Sequence, residues 1–143
     1  MLRTELMTSV LAGLIGGLTG ALWSGFVSSP WLGRIRREHP EAWRRETLAG
    51  FAIHAGSFAA GGAALGFLFW LGWGLIAVVN APWHATGALF GLVCWAASAV
   101  PMLGALSLRL RGFAPIAAIV AVEWLVTCLA AGLLCAYAWH RYS

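Results

Sequence analysis

Between Glu46 and Arg109 the chain runs for 62 residues without one Asp, Glu, Lys or Arg. A water-facing surface needs charge, so a soluble domain of this size does not tolerate such a run. A single helix of that length would be about 93 Å long. A bilayer core is ~30 Å thick and is crossed by ~20 residues, so the run reads as two membrane helices and their connection. Apolar stretches from Leu6 to Gly33 and from Gly112 to Trp139 flank it. The 143 residues are therefore predicted to form a single four-span transmembrane domain, all-α, folded as an integral membrane four-helix bundle.

Composition decides between helices and a barrel. Hydrophobic residues make up 61% and charged residues 10%, and mean hydropathy is +0.82. Within lipid every backbone N–H and C=O needs a partner from the protein itself, which leaves helices or a closed barrel. Barrel strands would be short and alternating, whereas these stretches are long, continuously apolar and rich in Leu, Ala and Gly. No separate soluble domain fits beside four spans. The Arg3-led apolar stretch with Thr19-Gly20-Ala21 has some features of a secretory leader, but it is long enough to span. Glu5 offsets Arg3, however, and the Arg34-Ile35-Arg36-Arg37 cluster follows as after a retained span, so this stretch is expected to stay as helix one.

Punctuation predicts four spans. Helix one covers about Leu6 to Ser28 and ends at Ser29-Pro30, because proline lacks an N–H and disfavours helical geometry before it. A polar loop, about Trp31 to Glu46, holds five Arg and three Glu. Helix two covers about Thr47 to Leu71 and stops at Gly72-Trp73-Gly74, with Leu75 to Val79 as an interfacial connection. Helix three covers about Ala81 to Leu108, with Asn80 as cap and Pro82 in its first turn. Helix four opens at Pro115 and runs to about Trp139. Seven of the nine arginines fall in the loops after helices one and three. By the positive-inside rule those loops are cytoplasmic and both termini lie outside, as expected for a multi-pass protein of a bacterial inner membrane. The tryptophans agree, with Trp31 and Trp43 at the inner boundary and Trp70, Trp73, Trp83 and Trp139 at the outer one. The two halves share no motif beyond glycine content, so no duplication is read.

One ionisable group stands out. Glu123 is the only formally charged residue inside a predicted span, about 12 Å along helix four from Pro115. A mid-membrane charge costs at least ~2.5–3.5 kcal/mol on insertion scales, so it needs a partner or a neutral form. His54 on helix two lies at a similar depth and is the expected partner. Ser24, Ser57, Ser98 and Thr127 fall in the same layer, and Thr127 shares a face with Glu123 at i, i+4. Pro101 should free the Ala97 carbonyl and kink helix three. Glu123, His54, Ser57, Ser98 and Thr127 form the candidate polar intramembrane site. Its functional meaning is a proton or cation site, and its structural alternative is an interhelical hydrogen bond.

Other chemistry lacks a motif. His54, Cys94, Cys128 and Glu123 have no helical metal-ligand spacing, and the three cysteines behave as small buried hydrophobes. His54 and His84 lie at opposite depths, unlike a pair of haem ligands. There is no Asp for a Ser/His/Asp set, no lysine for a phosphate loop, and no basic water-facing domain for nucleic acid. No catalytic residue, metal or cofactor is expected. The arginine-rich loop would sit well on anionic lipid. The pairs Gly13 and Gly17, Gly16 and Gly20, Gly62 and Gly66, and Gly87 and Gly91 have the small-xxx-small spacing that lets helices approach, either within the bundle or across a dimer through helix one.

Gly20-Ala21-Leu22-Trp23, the Ser29-Pro30 that follows, and a polar loop with Trp43, in a four-span chain of this length, resemble an uncharacterised bacterial family of small inner-membrane proteins. That family is a domain of unknown function. The resemblance implies four-span topology and carries no activity, cofactor or site. Two roles remain open. One is a structural or accessory protein bound to membrane partners, or to itself, through its small-residue faces. The other is a small homodimeric proton-coupled transporter using Glu123, similar in economy to the small multidrug-resistance exporters, which place their carboxylate in the first helix.

Overall fold

The computed structural model describes residues 2–43, 45, 47–76 and 81–142. Helix α1 spans Leu2–Trp23, passes through one π turn at Ser24–Ser28 and continues as α2, Ser29–Glu38. A 3-10 turn at Pro40–Ala42 follows, then α3 (Leu48–Ile76), α4 (Trp83–Arg109) and α5 (Ala114–Tyr142). The four apolar rods Arg3–Glu38, Leu48–Gly72, Trp83–Arg109 and Ala114–Tyr142 are each long enough to cross a bilayer. Large apolar side chains such as Phe26, Phe51, Ile53 and Leu108 point outward. This is the all-α architecture of a multi-pass membrane protein.

Two expected boundaries are corrected. Helix one does not stop at Ser29-Pro30. The turn before the proline widens, so that the Ser29 N–H bonds the Ser24 carbonyl five residues back, and Pro30 falls in the first turn of α2, where its missing N–H is tolerated. The resulting rod, Arg3–Glu38, has 36 residues and is about 54 Å long, well beyond one bilayer core. The arginines up to Arg37 are therefore carried on a helix rather than a loop. Helix two does not stop at Gly72-Trp73-Gly74 either, since α3 continues to Ile76. A glycine in a helix costs ~1 kcal/mol, whereas a helix broken inside lipid leaves backbone groups unpaired at several kcal/mol each. The rest of the expected connection, residues 77–79, and the Asn80 cap lie outside the described residues. Pro82 takes the N-cap position of α4, its carbonyl accepting from the Ala85 and Thr86 N–H groups at 3.0 and 3.1 Å. Helix α4 runs through Pro101 unbroken. Gly112, at φ 75°, makes the sharp turn into α5.

The bundle is ordered α3–α1–α5–α4, with each neighbouring pair antiparallel. α1 packs extensively on α3 and on α5, and α4 packs on α5. α3 and α4, though consecutive in the chain, touch only briefly. Edge-to-face packing of Phe69 and Phe90, 5.1 Å between centroids, joins α3 and α4 in the half away from the arginines.

The glycine pairs make these interfaces. A Cβ on Gly13 would overlap the Gly62 carbonyl, and one on Gly17 the Phe58 carbonyl, so one face of α1 lies backbone-to-backbone on α3. The adjoining face meets α5, where a Cβ on Gly16 would strike Ala131 and one on Gly20 would strike the Thr127 hydroxyl. Gly87 and Gly91 meet Gly132 and Cys128 in the same way across α4 and α5. The expected small-residue faces are thus spent inside the bundle.

A branched side chain at such a contact must push two backbones apart. Gly62→Val is expected to lower stability by about 1–3 kcal/mol or prevent folding. Gly104→Ala, where a Cβ meets nothing within 4 Å, is expected to be neutral or stabilising by up to ~1 kcal/mol. Denaturant unfolding in lipid-detergent micelles measures both.

Candidate buried polar site

The close contact of α1 with α5 sets a register. Gly16 faces Ala131 and Gly20 faces Thr127, so one helical turn further towards the arginine-rich end Ser24 comes opposite Glu123. Both are buried, at 6% and 2% exposure. Ser24 opens the π turn, and that turn lies against α5. The Glu123 carboxyl is thus buried on the α5 face that meets α1, and its Oε1 has no hydrogen-bond partner among the described residues.

Ser24 also reaches α3. Its Oγ lies 2.9 Å from His54 Nε2, and which of the two donates depends on the imidazole tautomer. The His54 ring is exposed on the outside of the bundle and packs edge-on against Phe58, with centroids 5.0 Å apart. Phe58 in turn stacks on Trp124 at 5.2 Å. No hydrogen bond or ion pair joins His54 to Glu123. The direct pairing expected from their depth is therefore corrected: the hydrogen-bond partner of His54 is Ser24. Depth places two groups at one level, but the direction each faces around its helix comes from packing, and Ser24 stands on the α1 face that runs through Gly16 and Gly20.

The other expected members divide. Thr127 is fully buried and donates to the Glu123 backbone carbonyl at 2.8 Å, so its hydroxyl is held within its own helix. Ser57 and Ser98 are exposed and donate to the carbonyls of Ile53 and Cys94, each four residues back at 2.8 and 2.6 Å. They take no part in the site. Ser24 was the member whose importance its own residue type did not announce. Its four-residue spacing from Gly20 and Gly16 was the available signal.

Aromatic side chains close the surroundings. Trp124 lies against Gly61, where a Cβ would meet its ring at 2.7 Å, and packs on the cluster of Ala99, Leu103 and Ala117. Trp95 Nε1 donates to the Ala121 carbonyl at 2.8 Å, tying α4 to α5 at this level. Among the described residues no three His, Cys, Asp or Glu side chains converge as metal ligands. The Cys135 thiol donates to the Ser9 carbonyl at 3.4 Å.

Comparison with protein-family models finds no match, and comparisons with curated proteins and with solved structures find none either. The resemblance carried by Gly20-Ala21-Leu22-Trp23 and Ser29-Pro30 thus comes with no family assignment.

A double-mutant cycle separates the two pairings. Ser24→Ala and His54→Ala are expected to couple by about 0.6–1.7 kcal/mol, the range of interhelical hydrogen bonds in membranes. The coupling of His54→Ala with Glu123→Gln is expected to be smaller. The opposite ranking would restore the direct pair.

Proposed function

We propose that the protein is a structural or accessory component of the bacterial inner membrane, bound to membrane partners through α3, with both termini outside the cytoplasm. One observation carries this role. The face of α3 formed by Ala52, Gly56, Ala60 and Ala64 is exposed at every position, and a Cβ on Gly56 meets nothing within 4 Å. Small residues four apart give a helix its closest approach to another helix. The glycine pairs of α1 and α4 with the same spacing, Gly13 and Gly17, Gly16 and Gly20, and Gly87 and Gly91, are filled by a neighbour. α3 and α4 are also the least covered rods, with 17% of their apolar windows buried against 33% for α1 and α5. The occupant that suits this face is an apolar transmembrane helix, from a second copy or from a partner protein.

Proton-coupled transport by Glu123 is less favoured. Transport needs alternating access from both faces, and on the side away from the arginines α1 and α5 close over Glu123 at Gly16 and Ala131. Seven arginines on one side against two on the other support the orientation.

In its native membrane the wild-type protein is expected to migrate on native gels as an assembly larger than the 15.2 kDa chain. Gly56→Ile should release it as a monomer, while Leu89→Ile on the exposed side of α4 should not. A monomeric wild type, together with proton-driven solute uptake by the purified protein in vesicles, would replace this role with transport.

A further inference from the structure

We propose that Glu123 is a proton-binding site reached from the arginine-rich side only, through Ser24 and His54. The inference does not rest on the accessory role. Three observations carry it. The carboxyl is almost completely buried and one of its oxygens has no hydrogen-bond partner among the described residues. The hydroxyl that the α1–α5 register brings to its level, one turn on from the Gly20 and Thr127 contact, is hydrogen-bonded at 2.9 Å to an imidazole. That imidazole is exposed outside the bundle and nearer the arginine-rich end. His54 lies six residues from the start of α3, about 9 Å, and Glu123 nine residues from the start of α5, about 13 Å. The polar groups thus step inward from the boundary. Beyond Glu123 the contacts are Gly20 with Thr127 and Gly16 with Ala131, and the Thr127 hydroxyl is already bonded to the Glu123 carbonyl. The path ends at the carboxyl.

The transfer balances as a proton relay. Water at the boundary delivers a proton to His54 Nδ1. The Nε2 proton passes to Ser24 Oγ across their 2.9 Å hydrogen bond, and the Ser24 hydroxyl then turns towards α5 and passes its own proton to the carboxylate of Glu123. The product is a neutral acid and an imidazole carrying its proton on Nδ1. A tautomer exchange through water resets the ring.

The titratable and charged groups around Glu123 are few. α1 and the π turn present Ser24 and no titratable side chain, and α3 presents His54. On α5 itself, Thr127 lies one turn away and Cys128 faces Gly91 of α4. α2, which touches α5, carries Arg34, Arg36 and Arg37 towards the boundary, where α4 and the following turn add Arg109 and Arg111.

The test uses the full-length protein in phosphatidylcholine bilayers and reads the infrared C=O stretch of a protonated carboxyl after a pH jump. Wild type is expected to show a pH-dependent band that Glu123→Gln removes. Ser24→Ala and His54→Gln should leave its final amplitude unchanged but slow its appearance by about a hundredfold, the low end of what a positioned proton donor supplies. Ser24→Thr should keep the fast rate. His54→Gln is the variant safest for folding, because the side chain is exposed and the amide still bonds Ser24 without relaying a proton. Absence of a pH-dependent band, a wild-type rate in His54→Gln, or loss of the band on adding sodium at constant pH would each overturn the proposal.

Discussion

Backbone-to-backbone contact along α1 holds this molecule in its arrangement. Lipid tails are as apolar as leucine, so no hydrophobic gain drives one membrane helix onto another, and association depends on close van der Waals packing. α1 supplies it on two adjoining faces, through Gly13 and Gly17 to α3 and through Gly16 and Gly20 to α5. α5 repeats the device towards α4 with Gly132. The helix order α3–α1–α5–α4 follows from which faces carry glycine rather than from chain connectivity, and for that reason α3 and α4 adjoin so little.

The same contacts decide where polarity can be held. Where the glycines bring backbones together, only short polar side chains such as Thr127 and Ser9 fit. One turn on, at Ser24, the α1 backbone widens into a π turn, and there Glu123 and the Ser24–His54 hydrogen bond are accommodated. Such turns are rare and recur at functional sites in other helices. Here the turn serves two purposes, carrying the chain past Pro30 without a break and lying against the helix that carries the buried carboxyl of Glu123. The outward face of α3, free of both duties, is where another helix would fit.

Much of the fold was legible because lipid is a strict solvent. A charge-free run of 62 residues leaves only spanning helices, and Pro115 and Gly112 marked the start of α5 correctly. Pro30 and Gly72-Trp73-Gly74 misled because their reading as stops belongs to helices in water, where freed backbone groups bond solvent. In lipid, continuing the helix is cheaper than exposing them. The i, i+4 spacing of Glu123 and Thr127 gave their shared face. The partner of His54 was not legible from depth, since facing direction depends on how α1 lies between α3 and α5. The run of Gly16, Gly20 and Ser24 held that information once the glycines were known to be a contact face.

The packing of α1 on α5 is tested most directly with a native thiol. Ala12 and Cys135 belong to one buried cluster. In a chain with Cys94 and Cys128 replaced by alanine, Ala12→Cys should form an intramolecular disulfide with Cys135 on oxidation in native membranes. Cysteines placed at Gly56 and Gly104, where a Cβ has open space around it, should not join within one chain. A cross-link between α3 and α4 at those positions, with none between residues 12 and 135, would contradict the α3–α1–α5–α4 order and the register that brings Ser24 to Glu123.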